Sequence, residues 1–275
     1  MSRASFASIN GAEIYYEIVG QGEPTLVFIH AGICDSRQWD EQMPHFTPRH
    51  RVVRFDRVGF GQSAVAQRTV DTQRADIAAL LDQLEVNNAV LIGSSQGGAL
   101  ALDYALENPK RVSGLVLLGS ALNGFEFDDS DPEPEGWADI VQAWKEGRPE
   151  PVNEYEMTLF LDGRGQPRTR LNPELRAKAA AMNLIALQNQ LLSESQKIQP
   201  EPELQPPAAM RLHEITVPVL MMVGDYDTPY IRAAAAAIMA GIPDIQRIDL
   251  PTAHLPNMEM PDAFNLHVED FLKAL

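Results

Sequence analysis

Apolar residues fall in short unbroken blocks along most of the chain: TLVFIH (25–30), RVVRFD (51–56), AVLIG (89–93), VSGLVLLG (112–119), VPVLMMVG (217–224) and IQRIDL (245–250). Several are apolar on successive positions, as expected of strands covered on both faces in a parallel sheet. Between most of the blocks the spacing changes. Ile77, Leu80, Leu81 and Leu84 recur at i, i+3, i+4 and i+7, and residues 96–107 and 230–240 are rich in Ala, Leu and Ile, which predicts helices. Near the start, β-prone residues 5–9 and 12–19 flank Asn10-Gly11. That dipeptide predicts a hairpin, because both central residues of such a turn take positive φ. A hairpin followed by alternating strands and helices is an α/β pattern with a mainly parallel sheet.

The alternation breaks between Leu122 and His213. The break opens on FEFDDSDPEPEGW, whose charge and prolines favour an extended loop, and closes on the proline-rich QPEPELQPPAA. Helical patterns lie between them, around residues 137–147, 153–162 and 174–196, with no strand signal and no internal repeat. The expected organisation is a core of residues 1–121 and 214–275, with residues 122–213 inserted as a helical layer over one edge of the sheet.

Composition narrows the functional classes. The chain has 275 residues, 45% of them hydrophobic, enough for one large buried core. Its 22 basic and 38 acidic side chains leave a net charge of −16. That balance disfavours nucleic acid and anionic lipid, both of which need a basic face. A single cysteine, Cys34, excludes an internal disulfide framework and a thiolate metal cage. Without a leader-like or membrane-length apolar stretch, the expectation is a cytoplasmic protein with no membrane partner.

The chemistry concentrates in AVLIGSSQGGALALDYAL (89–106). A strand runs into Gly93-Ser94-Ser95-Gln96-Gly97 and a helix begins at once, giving G-x-S-x-G at a strand-to-helix turn. Such a turn lifts one serine Oγ, here that of Ser95, and needs glycines two residues either side, where β-carbons have no room. Ser94 lies one place off the glycine frame. A serine needs a base, and the base an orienting carboxylate. Downstream strand ends supply both: Asp225 or Asp227 after VPVLMMVG, and His254 after IQRIDL. One of the two aspartates is expected to cap the helix that starts near Pro229. Composition does not separate them. The other histidines read as helix-face residues (His213, His267) or as flanking a turn (His45, His50).

Four motifs make the chain resemble the α/β-hydrolase superfamily over nearly its full length. They are His30-Ala31-Gly32 after the first core strand, FDRVGFGQS (55–63), the elbow at 93–97, and Gly224-x-x-Asp227 with AHLPNME-x-P (253–261). The likeness is closest to 3-oxoadipate enol-lactonase-like and carboxylesterase-type serine hydrolases, through the loop from His30 to Trp39. The resemblance implies a sheet of about eight strands with a helical lid. It places the acid at Asp227 and completes a Ser95, Asp227, His254 triad. It also implies an oxyanion hole from the N–H groups of Gly32 and Gln96. Ala31 stands where the family usually has glycine, which leaves Ile33 as the other candidate donor. A serine at the elbow separates the chain from epoxide hydrolases and dehalogenases, which carry aspartate there, and from dienelactone hydrolases, which carry cysteine. Cys34 reads as a packed residue, and Arg57 as one member of a salt bridge. Trp137, Trp144, Met157, Phe160 and Met182 are candidates for lining a pocket over Ser95.

The expected substrate is a small-molecule ester or lactone, cleaved through an acyl-enzyme, with no metal or organic cofactor implied. Three alternatives stay open: carbon–carbon bond hydrolysis or perhydrolysis on the same triad, and a ligand receptor built on the scaffold. A homodimer is also left open.

Overall fold

The computed structural model describes residues 2–128 and 136–275. Eight strands follow in chain order: β1 (Ser2–Ile9), β2 (Ala12–Val19), β3 (Thr25–Ile29), β4 (Val52–Phe55), β5 (Ala89–Ser94), β6 (Val112–Leu118), β7 (Val219–Gly224) and β8 (Ile245–Leu250). They form one sheet in the order β1-β2-β4-β3-β5-β6-β7-β8. The pairs β1–β2 and β2–β4 are antiparallel and all others parallel. The first hairpin turns at Asn10 (φ 47°) and Gly11 (φ 80°), as the dipeptide predicts.

The unbroken apolar blocks have a direct explanation. Alternate residues of one strand enter two different cores. Val27, Leu91, Leu115, Leu117 and Met221 pack with Ile77, Leu80, Leu102 and Ile238 of the helices on one face. Leu26, Phe28, Val90, Ile92, Val116 and Leu220 pack on the other with Trp39, Phe46, Phe264 and Phe271. The edge strand β8 departs from this. Gln246 and Asp249 are exposed along it and only Leu250 is buried, which suits an edge that must not recruit another strand.

Helices Trp137–Lys145, Pro149–Glu156 and Pro173–Ser195 lie between β6 and β7. The second starts earlier than its periodicity suggests, because Pro149 suits a first helical turn, and it runs on as a π-helical stretch at Met157–Asp162. In the closing connector, Gln199 makes one isolated bridge to Val70. Part of the expected acidic loop, residues 129–135, lies outside the described residues.

The parallel strands leave β3, β5, β6, β7 and β8 ending on the same edge of the sheet. Ligand sites of α/β folds lie at that edge.

Candidate active site

Ser95 joins β5 to the Gln96–Glu107 helix with φ 54° and ψ −118°. Few non-glycine residues adopt a left-handed φ, and the surroundings must enforce it. A Cβ on Gly93 would collide with the backbone of Gly97 and Gly98, and one on Gly97 with the carbonyls of Ile29 and His30. The glycine frame is therefore a packing requirement. The Ser95 N–H donates to the Leu118 carbonyl at 2.8 Å, and the Ser95 carbonyl accepts from Gly98, Ala99 and Ala121. Its half-buried side chain has no protein hydrogen-bond partner among the described residues. Ser94, by contrast, is sealed in the sheet with an unpartnered Oγ.

Asp227 and His254, each on a loop after a late strand, meet in the interior. His254 Nδ1 lies 3.0 and 2.9 Å from the two carboxylate oxygens of Asp227. Asp227 Oδ1 also accepts the Thr228 N–H at 2.7 Å. Gly119, just past β6, connects this pair to the serine. A Cβ there would lie 2.9 Å from Asp227 Oδ2 and 3.1 Å from His254 Nδ1. The preceding residue, Leu118, is the one that holds the Ser95 N–H. Nothing in the sequence singled out Gly119 except its place at a strand end.

Asp225 takes no part in this pair. It is exposed, and its carbonyl accepts from Arg232. The expectation that one of the two aspartates caps the following helix is corrected. Thr228 is the N-cap, its Oγ1 accepting the Ile231 N–H.

On the opposite flank, the His30–Ile33 loop follows β3. Gly32 lies against the Gln96 side chain, and a Cβ on it would come within 2.6 Å of the amide carbon. The N–H groups of Gly32, Ile33 and Gln96 find no protein acceptor among the described residues. Together with the dipole of the Gln96–Glu107 helix, they could receive developing negative charge. The Gln38 side chain accepts the Ala31 N–H at 2.9 Å and fixes the loop from below.

His30 is fully buried, and burial holds its imidazole well below the usual histidine range. Its Nε2 accepts the Arg57 N–H at 3.0 Å, so Nδ1 carries the proton and donates to the Ala31 carbonyl at 2.8 Å. Arg57 corrects another expectation: it forms no salt bridge among the described residues. Its guanidinium is buried beside the Phe60 ring, 4.3 Å from the centroid. It donates to Gln73 Oε1 at 2.7 Å and to the Ala31 carbonyl at 3.2 Å, while its Nε is unpartnered. Burial pulls it down to about 10, so it stays charged at neutral pH. Cys34 is fully buried, and burial pushes its thiol up, out of reach of thiolate chemistry at neutral pH.

The pocket candidates divide. Met157 and Met182 pack in one buried cluster with Ala31, Ile33, Leu255 and Met258. The Phe160 ring lies 5.0 Å from the His254 ring. The Trp137 ring instead meets the Tyr155 ring, tilted by 53° with centroids 5.4 Å apart, and Trp144 is half-buried.

Three groups that the sequence reading gave no role hold His254 and its loop in place. The His254 N–H donates to the Phe160 carbonyl at 3.0 Å. The buried Glu259 accepts the Ala253 N–H at 3.0 Å and the Arg170 guanidinium at 2.5 Å. Arg170 in turn donates to the carbonyls of Leu161 and Asp162. Glu259 stood in a quoted motif five residues after His254, the one sequence signal for this arrangement. Among the described residues, no group of three or more His, Cys, Asp and Glu is placed to hold a metal ion, and no helix is long and apolar enough to cross a membrane.

Comparison with known proteins agrees with this architecture. A 2-hydroxy-6-oxo-2,4-heptadienoate hydrolase of Pseudomonas putida is 37% identical over 128 residues, 43% of this chain and 45% of that one. A pimeloyl-[acyl-carrier protein] methyl ester esterase of Yersinia enterocolitica is 27% identical over 94% of this chain and 97% of its own. The crystal structure of the enol-lactonase from Burkholderia xenovorans LB400 superposes with a TM-score of 0.79 at 22% identity, covering 98% of this chain and 99% of that one. The family described as alpha/beta hydrolase fold matches residues 24–261, and the chain belongs to it.

Proposed function

We propose that this member of the α/β-hydrolase family is a serine hydrolase that cleaves a small ester or lactone through an acyl-enzyme. The observation that carries the reading is the buried Asp227–His254 pair, packed on the residue next to the one that holds the Ser95 backbone. In this mechanism His254 Nε2 takes the Ser95 Oγ proton as that oxygen attacks the carbonyl carbon. Asp227 holds the proton on Nδ1 and stabilises the imidazolium. The N–H groups of Gln96 and of Gly32 or Ile33 receive the oxyanion, each contributing about 3 kcal/mol to the transition state. His254 then returns the proton to the leaving oxygen, and water repeats the sequence on the acyl-enzyme. Residues 122–213 act as a lid over the core formed by 1–121 and 214–275, with Met157, Phe160 and Met182 facing the substrate.

A second reading, carbon–carbon bond hydrolysis on the same residues, draws on the partial match to the heptadienoate hydrolase. One assay separates them. Wild type, Ser95→Ala, Asp227→Asn and Asp225→Asn are compared on short-chain p-nitrophenyl esters and on a vinylogous 1,5-diketone acid. The expected result is ester turnover that falls at least about a thousandfold in Ser95→Ala and Asp227→Asn and persists in Asp225→Asn. Turnover of the diketone alone would replace the ester reading. Equal ester activity in wild type and Ser95→Ala would remove the serine mechanism.

A further inference from the structure

Arg57 is a charged group with an unusual place. In a chain with 38 acidic and 22 basic residues, a counter-ion would be easy to supply. Four other guanidiniums have one: Arg37 pairs with Asp35, Arg54 with Asp40, Arg170 with Glu259 and Arg176 with Asp162. Arg57 is 3% exposed and faces no carboxylate at ion-pair distance among the described residues. An uncompensated buried charge is costly and asks for a reason.

Its contacts supply one. The nearest acidic route is interrupted by an amide: Arg57 donates to Gln73 Oε1, and Gln73 Nε2 donates to Asp71 at 2.6 Å. Across that amide Asp71 stays beyond ion-pair distance and offsets the guanidinium charge only in part. On its other side Arg57 donates to the Ala31 carbonyl, which also accepts from His30 Nδ1 at 2.8 Å and from the Cys34 N–H at 3.2 Å. Three donors on one carbonyl oxygen, one of them cationic, draw electron density through the peptide. The nitrogen of that same peptide belongs to Gly32. Because the peptide is planar and trans, its N–H points away from the oxygen. It therefore points away from Arg57, and it is one of the N–H groups without a protein acceptor.

We infer that Arg57 is a positioning residue for the oxyanion hole: its unneutralised charge, applied to the Ala31 carbonyl, orients and polarises the Ala31–Gly32 peptide so that the Gly32 N–H, and not that of Ile33, receives the oxyanion. The inference rests on the serine mechanism above and assigns the donor that the sequence left open. It also gives Gln73 a purpose, as the spacer that keeps Asp71 from cancelling the charge.

The test compares wild type, Arg57→Met and Gln73→Glu on p-nitrophenyl acetate, with phenylboronic acid as a probe that forms a tetrahedral adduct at Ser95. Folding is checked by thermal melting. In Arg57→Met, kcat is expected to fall about ten- to thirtyfold, less than the loss of a whole oxyanion donor, with KM within about twofold and boronate affinity weakened in parallel with kcat. Gln73→Glu places a carboxylate directly on Arg57. There kcat is expected to fall several-fold while Tm holds or rises, an outcome a purely structural arginine would not produce. A folded Arg57→Met with kcat unchanged, or with KM raised and kcat intact, overturns the inference. If Arg57→Met does not fold, Gln73→Glu decides alone, and an unchanged or higher kcat there overturns it. Ser95→Ala keeps the two readings apart. Turnover surviving in Ser95→Ala removes the serine mechanism and this inference together. Turnover that needs Ser95 but ignores Arg57 and Gln73 removes this inference only.

Discussion

The sheet and the helical segment between β6 and β7 are held by different physics. The sheet buries continuous apolar strands on both faces, and large buried side chains such as Phe28 of β3 pack in one apolar cluster with Trp39 and Phe264 of the flanking helices. The three helices between β6 and β7 share one small apolar cluster around Met157 and Met182 with the core, ringed by polar ties, while Leu122, Leu204, Ala208 and Leu212 of the flanking connectors join the sheet's own core. Those ties include Arg170 to Glu259, Lys178 to Asp40, Asn189 to the Gly59 carbonyl and the Phe160 carbonyl to His254. The contrast is one of directionality. Apolar burial sets how firmly the sheet stands but fixes no single geometry, whereas a few buried hydrogen bonds fix where the segment sits relative to His254 while adding less to stability.

The largest expected effect breaks the sheet side. Phe28→Ala removes a fully buried ring packed 4.8 Å from Trp39 and should cost about 3–5 kcal/mol in urea unfolding. The kcat of the remaining folded fraction should be nearly unaffected. Next comes Arg170→Met, which leaves Glu259 buried without its cation and should cost about 3 kcal/mol. Here kcat should fall as well, because the carbonyls beside Phe160 lose their donor. Adding Glu259→Gln to that variant should recover part of the stability, as the double variant no longer buries an unpaired charge.

Glu156 sharpens the comparison with the opposite sign. Burial raises its carboxyl, and its neighbour is the Asn183 amide, not a cation. A pKa raised in the folded state favours folding most below the unfolded value, near 4.3, and that contribution is lost as pH climbs through the folded value. Glu156→Gln should therefore melt about 1–3 °C above wild type at pH 7, with the difference vanishing toward pH 4. The smallest effect belongs to Lys178→Met. Its pair with Asp40 is about a third exposed on both sides, and the change should cost under about 1 kcal/mol with kcat preserved. A large loss of activity there would mean that the segment's position depends on its rim as much as on Arg170.

The same contrast explains what could be read in advance. Strands β3 to β7 were legible because residues serving two cores leave unbroken apolar runs, and the glycine frame around Ser95 because backbone collisions forbid substitution. Asp225 and Asp227 were inseparable by composition, since their difference lies in which one the β7–β8 loops turn inward. Arg57 was misjudged for a related reason. Sequence suggests that a buried arginine finds a carboxylate, but only the fold shows Gln73 standing between it and Asp71. The helices of the segment announced themselves by periodicity. Their docking did not, because it runs through main-chain carbonyls such as those of Phe160 and Leu161, which carry no side-chain signature.

The hydrogen bond from the His254 N–H to the Phe160 carbonyl has a consequence for traffic through the site. Lifting the π-helical stretch to admit a molecule would strip the base of a main-chain partner at the moment the molecule arrived. On the mechanism proposed above, a molecule entering past Phe160 would break that bond on its way in, and a product leaving by the same side would break it again.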